Sequence, residues 1–330
     1  MQLNQKGAVN MKRMAFLILV LSLTSGCFHQ PAKDDEDNLI TVNGANEKVK
    51  TISEEFKTDI SEQLGIPFEE LSDEDFKHIK KIVINYNDPT LDDVLAKLIN
   101  LQNLSVNVPI DHHLMIKDLL QLKYLDIVDN SFADLTFLSS LIQLKELYLH
   151  NNDIKNIDGI ATLHNLKILS ITNNKIEDVK PLESLVSLEY LEIHGNKVQS
   201  LTPIEALENL TMFIASDNDI KDASSLKDLV KLTFVNLSEN PLKSIDFAKN
   251  LPDLDRLQIS DTDVADLTPL ANAKSLYYLD IRGTKVTSIQ PLVNLKTLKY
   301  VLLSKDTVED WHLLEKDGGP IISEITILAE

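Results

Sequence analysis

The sequence predicts an α/β solenoid, in which short parallel strands, one per repeat, are returned by short convex segments behind a helical N-terminal cap. Three observations predict it. A 22-residue period runs from Leu122 to about Leu314, in nine units that begin at Leu122, Leu144, Leu166, Leu188, Leu210, Leu232, Leu254, Leu276 and Leu298, with no residue inserted or lost. The first seven positions of each unit alternate in the period-2 manner of a strand. The ninth position is Asn in six successive units: Asn130, Asn152, Asn174, Asn196, Asn218 and Asn240. A period of this length means stacking, because one unit cannot bury its apolar side alone.

Each unit reads close to L-x-x-L-x-L-x-x-N-x-I-x-x-L-x-P-L-x-x-L-x-x, as in Leu166, Leu169, Ile171, Asn174, Ile176, Val179, Pro181 and Leu182. This pattern resembles the leucine-rich repeat. The fourth and sixth positions point into the core, and the third, fifth and seventh point away. An inward Asn can bond the backbone groups that a tight bend leaves unpaired, so stacked repeats should build a ladder of such bonds. Thr262, Thr284 and Asp306 replace it in the last three units, where the ladder should weaken. The eleventh, fourteenth, seventeenth and twentieth positions bring the return segment back over the core. Pro181, Pro203, Pro269 and Pro291 at the sixteenth position fix φ and favour short 3₁₀ or irregular segments over a long helix. Truncating an inward leucine such as Leu191 to Ala should cost about 2–5 kcal/mol.

From the start of the chain, residues 1–26 read as a secretory signal peptide, with Met11 as the better start. Lys12 and Arg13 precede a short apolar run, too short to span a bilayer. The segment Leu23, Thr24, Ser25, Gly26, Cys27 resembles the bacterial lipoprotein lipobox, although Thr24 stands where that family carries an aliphatic residue. The resemblance implies that Cys27 becomes the lipidated first residue of the mature protein. Several acyl chains there suffice for stable anchoring. It also implies export across the inner membrane. Phe28 after the cysteine implies outer-membrane sorting in a Gram-negative cell, and otherwise the anchor is the cell membrane facing outward. Cys27 is the single cysteine, which excludes intramolecular disulfides, cysteine-based zinc sites and a catalytic cysteine in the folded region.

Residues 27–50 are polar and acidic, without periodicity, and read as a tether. Residues 51–78 read as the helical cap: Ile52, Phe56, Ile60 and Leu64 recur every four residues, and Gly65 and Pro67 end the run. Ser72 to Asp75 can then cap a short helix through Phe76 and Ile79. The repeats span 79–316, two degenerate units (from Ile79 and Leu101) preceding the regular nine, with breaks at Asp88, Pro89 and Pro109. Residues 317–330 read as the C-terminal cap, a turn at Gly318 to Pro320 and a closing strand near 321–327. Caps matter because an uncovered strand edge invites aggregation.

Function should lie on the outward face of the strands, which folding does not dictate. The third position holds Tyr124, Glu146, Ile168, Tyr190, Met212, Phe234, Arg256, Tyr278 and Tyr300, and the fifth adds Tyr148, Ile214 and Leu302. Strands about 4.8 Å apart should align these residues into a continuous exposed strip. Exposed apolar and tyrosine strips are what protein interfaces use, although β-favouring residues also accumulate on strands for their own sake. Asp129, Asp217, Glu239 and Asp261 at the eighth position form an acidic border, readable as a solvated rim or as steering for a basic partner.

The formal charge of −19 argues against nucleic acid, and no phosphate loop, dinucleotide fingerprint or metal motif occurs. No cofactor or catalytic residue is expected. His150 and His194 share the seventh position two units apart, on the order of 10 Å, too far for one zinc ion. His194, Ser216 and Glu192 lie close enough to raise a hydrolase or carbohydrate-active alternative, which lacks an oxyanion-hole loop. A structural spacer is the third reading.

Asn at the ninth position and Pro at the sixteenth resemble the internalin type of bacterial repeat, over about residues 79–317. That resemblance implies a concave face that binds a protein partner, which the sequence does not name, and the first reading is a non-enzymatic binding protein. The chain departs from internalins in carrying a lipobox instead of a wall-anchoring tail and in lacking an immunoglobulin-like extension, so host-cell invasion is not carried over.

Overall fold

The computed structural model describes residues 54–85, 91–108, 113–315 and 324–327. All belong to one compact unit, Leu39–Glu330. The signal peptide, Cys27, the tether, Ile52, Asp88, Pro89, Pro109 and the turn at Gly318 to Pro320 lie outside the described residues.

Among the described residues twelve strands form one parallel sheet in strict chain order. They are β1 (Lys81–Ile84), β2 (Asn103–Val106), β3 (Tyr124–Ile127), β4 (Glu146–Tyr148), β5 (Ile168–Ser170), β6 (Tyr190–Glu192), β7 (Met212–Ile214), β8 (Phe234–Asn236), β9 (Arg256–Gln258), β10 (Tyr278–Asp280), β11 (Tyr300–Leu303) and β12 (Glu324–Ile327). Because no unit gains or loses a residue, each regular strand pairs with the next 22 positions on, as in Tyr190↔Met212 and Met212↔Phe234. The return segments are 3₁₀ turns such as Thr136–Leu138, Lys180–Ser184 and Gln290–Leu292. Where present, Pro stands at the second residue of the turn, a place where its missing N–H costs nothing.

The core lies between sheet and turns. Leu125, Leu147, Leu169, Leu191, Phe213, Val235, Leu257, Leu279 and Val301 at the fourth position are all fully buried. Asn174, Asn196, Asn218 and Asn240 each share their Nδ2 hydrogens among three carbonyls and accept one backbone N–H of the preceding unit at Oδ1. For Asn196 these are Ile171 O at 3.0 Å, Ile193 O at 3.0 Å, His194 O at 3.3 Å and Ile176 N at 3.0 Å. Asn152 keeps its three donor contacts, but its buried Oδ1 has no partner. Thr262 and Thr284 each contribute one bond, from Oγ1 to Ile259 O and Ile281 O at 2.7 Å. The ladder therefore thins toward the C-terminal end, as the sequence predicts.

At the N-terminal end, α1 (Glu54–Leu64) stops at Gly65, whose φ of 68° suits a residue without Cβ. Ile60 is fully buried in the common core, against which Leu64, Phe68 and Leu71 pack. A second helix, α2 (Asp73–Phe76), starts at Ser72, whose N–H and O–H both donate to the Asp75 carboxylate, at 2.8 Å and 2.5 Å. At the far end β12 pairs in parallel with β11, Val301 opposite Ile325. Among the described residues no helix is long and apolar enough to cross a membrane.

Candidate protein-binding face

Strand register aligns the third-position side chains as a single row: Tyr124↔Glu146↔Ile168↔Tyr190↔Met212↔Phe234↔Arg256↔Tyr278↔Tyr300. The fifth-position row runs beside it as Asp126, Tyr148, Ser170, Glu192, Ile214, Asn236, Gln258, Asp280 and Leu302. The row exists, but the exposed strip is not continuous. Tyr124, Ile168, Tyr190, Met212, Tyr278 and Tyr300 are half-buried, whereas Phe234, Ile214 and Tyr148 are buried at 3%, 5% and 6% exposure. Alternation decides which face a side chain takes, and crowding on that face decides what solvent reaches. Tyr148 has the Tyr124 ring at 5.5 Å and the His150 ring at 6.3 Å, and Phe234 lies in register between Met212 and the buried Arg256.

The N-terminal part of the face pairs tyrosines with carboxylates two residues away on the same strand, where side chains share a side. Tyr124 donates to Asp126 Oδ2 at 3.3 Å, Tyr148 to Glu146 Oε2 at 3.2 Å and Tyr190 to Glu192 Oε2 at 3.1 Å. Ser170 donates to the same Glu192 oxygen at 2.9 Å. Burial raises the Asp126 carboxyl to about 6, partly offset by the Tyr124 hydroxyl, and also raises Glu192 against the hydrogen bonds of Ser170 and Tyr190. The three phenols are raised as well, first by burial and then by the neighbouring carboxylates.

Toward the C-terminal end Asp280, 1% exposed, is neutralised within its own strand's continuation, with Arg282 Nε donating to Oδ1 at 2.8 Å and Nη2 to Oδ2. Arg256 Nε lies 3.4 Å from Asp255 Oδ2.

His150 and His194 turn to different neighbours. His150 Nε2 lies 3.9 Å from Asp126 Oδ1, and His194 Nδ1 lies 2.9 Å from Ser216 Oγ. Glu192 is engaged by Ser170 and Tyr190, so the acid of a Ser/His/acid set is occupied elsewhere. The N–H groups beside Ser216 are used in the sheet, Asp217 N to Ser238 O at 3.0 Å and Gly195 N to Ser216 O at 3.1 Å. Among the described residues no group of three His, Cys, Asp or Glu could hold a metal ion.

The acidic border has a backbone cause. In eight successive units the eighth position adopts φ between 51° and 66°: Asp129, Asn151, Asn173, Gly195, Asp217, Glu239, Asp261 and Gly283. Only Gly, Asn and Asp enter this region readily, so the alternation of these types at one position was a readable signal of a left-handed turn. The thirteenth position carries a second signal that sequence reasoning missed. Asp134, Asn156, Asp178, Ser200, Asp222, Ser244, Asp266 and Ser288 each accept the backbone N–H two residues on and so start the 3₁₀ turn.

The family profile for leucine-rich repeats (two copies) matches residues 120–162 and 164–207. The fold is a leucine-rich-repeat solenoid. An internalin (inlF) from Listeria monocytogenes superposes on the solenoid with a TM-score of 0.57 at 22% identity, over 79% of this chain and 90% of that one. Internalin C2 (inlC2) from the same organism gives 0.54 at 24% identity, over 61% of this chain and 90% of that one. A plant peptide hormone receptor, RGFR1, in complex with RGF2, gives 0.54 at 18% identity, over 71% of this chain and 46% of that one. No curated protein matches the chain. At these identities the structural likenesses establish the leucine-rich-repeat fold alone.

Proposed function

We propose that this chain is a non-enzymatic, lipid-anchored protein whose concave leucine-rich-repeat face captures a protein partner. The observation that carries this reading is the in-register row of half-buried tyrosine and apolar side chains, Tyr124, Ile168, Tyr190, Met212, Tyr278 and Tyr300, on a sheet face that stability does not require to be apolar. Rigid aromatic side chains offer large contact area at low entropic cost. That one similar solenoid is a peptide hormone receptor in complex with RGF2 agrees with it. Cys27 is the proposed site of lipidation, with export and display at the outer membrane or outward-facing cell membrane following from it.

Tyr190→Ala combined with Met212→Ala tests the face. The expected result is an unchanged circular dichroism spectrum and partner capture reduced at least tenfold. Capture at wild-type level by the folded variant would refute the reading. Cys27→Ser should abolish incorporation of labelled palmitate and move the protein to the soluble fraction. Retention in the membrane would exclude this anchor.

The 2.9 Å contact of His194 with Ser216 favours one second reading, an envelope hydrolase or carbohydrate-active protein using His194, Ser216 and Glu192. Wild-type turnover in an ester or glycan screen, lost in Ser216→Ala, would support it.

A further inference from the structure

Three carboxylates, Asp126, Glu146 and Glu192, stand among Tyr124, Tyr148 and Tyr190 on β3, β4 and β6. Among the described residues no lysine or arginine forms an ion pair with any of them. Asp126 is 8% exposed, and its Oδ1 is shut off from water without a hydrogen-bond donor, with His150 Nε2 at 3.9 Å. The same face shows how such a carboxylate is satisfied when the chain supplies the cation. Asp280, in the same fifth-position row, is gripped by Arg282 two residues on. The matching place beside Asp126 holds Val128, and beside Glu192 it holds His194.

Resting on the binding reading above, we propose that β3 to β6 form a cation subsite that receives lysine or arginine side chains of a basic segment in the partner protein. Such a side chain would do for Asp126 and Glu192 what Arg282 does for Asp280. A charged donor beside a desolvated carboxylate makes a strong hydrogen bond, and the tyrosine rings add cation–π attraction. Geometry sets the spacing. Asp126 and Glu192 lie three strands apart in one row, about 14 Å at the usual interstrand distance. An extended segment rises about 3.3 Å per residue and returns a side chain to the same side every second residue. Two cations four residues apart therefore span the subsite.

The test uses the full chain in neutral detergent and a dye-labelled nine-residue peptide of Ser and Thr carrying two arginines four residues apart, followed by fluorescence polarisation. Its control replaces both arginines with citrulline, which keeps the shape and removes the charge. Arginine should bind at least tenfold more tightly than citrulline, and Asp126→Asn with Glu192→Gln should erase that difference. Asp129→Asn with Asp217→Asn removes the same charge from the rim and should leave binding within twofold. Equal affinity for the two peptides, no binding of either, or equal loss in the rim variant would each overturn the proposal. In-cell crosslinking from a photoreactive residue at position 212 separates this failure from that of the binding reading. A partner still captured at wild-type yield by Asp126→Asn with Glu192→Gln would sink the cation subsite alone, whereas no partner from position 212 would sink both.

Discussion

Asn196→Ala removes four interactions at once: three carbonyls, Ile171, Ile193 and His194, lose a shared donor, and the Ile176 N–H loses its acceptor. The N–H carries the largest penalty, because a buried donor left without a partner costs about 1–3 kcal/mol. The carbonyls keep other contacts and add a smaller share, so the total should be about 3–4 kcal/mol. The same ladder supplies two graded controls. Asn152 has no partner at Oδ1, so Asn152→Ala spares the N–H term and should cost about 2 kcal/mol. Thr284→Ala gives up only the bond to Ile281 O and should cost about 1 kcal/mol. Urea unfolding followed by far-ultraviolet circular dichroism measures all three, with an unchanged slope required before midpoints are compared. The reasoning is refuted if Asn196→Ala loses no more stability than Thr284→Ala, or if the order of Asn196 and Asn152 is reversed.

Asp126 has a folded-state pKa of about 6, above the unfolded value, so the folded chain holds this proton more tightly and gains stability as pH falls from 6 toward 4. Asp126→Asn should raise stability at pH 7.5 by about 1–3 kcal/mol and flatten that part of the pH profile. A steeper profile in the variant would contradict the assignment. Glu239 occupies a left-handed position, φ 54°, that suits Asn better, so Glu239→Asn should stabilise by about 0.5–1 kcal/mol, read as a higher urea midpoint. A Cβ at Gly159 would fall 1.9 Å from Leu135 O and 2.7 Å from Thr136 N, both backbone atoms. Gly159→Ala should therefore cost about 1–3 kcal/mol and lower the thermal midpoint, and an unchanged midpoint would show that the two turns can separate freely.

The period made the register legible. With every unit 22 residues long, Tyr190 had to fall beside Met212, and it does. Burial of the fourth and sixth positions and the Asn ladder followed from alternation and from the backbone's need for partners. Crowding was not legible: Phe234 and Met212 occupy the same position in adjacent units, yet only Met212 keeps appreciable exposure. The eighth and thirteenth positions carried their signals in residue type, Asp, Asn and Gly in one, Asp, Asn and Ser in the other. Both report backbone conformation, although the four acidic members of the first also read as a charged border. The tyrosine–carboxylate pairs are visible as i, i+2 neighbours on a strand, but that no lysine or arginine among the described residues pairs with Asp126 is a matter of three-dimensional placement, which the sequence does not carry.

The most direct test of the concave face as a binding surface is photocrosslinking in intact cells. A photoreactive residue replaces Met212 on the face or Lys180 on the exposed convex turn, and the adducts are identified by mass spectrometry. One distinct protein captured from position 212 and not from position 180 is the predicted result. Equal, diffuse labelling from both positions would contradict the account and leave the solenoid as a spacer.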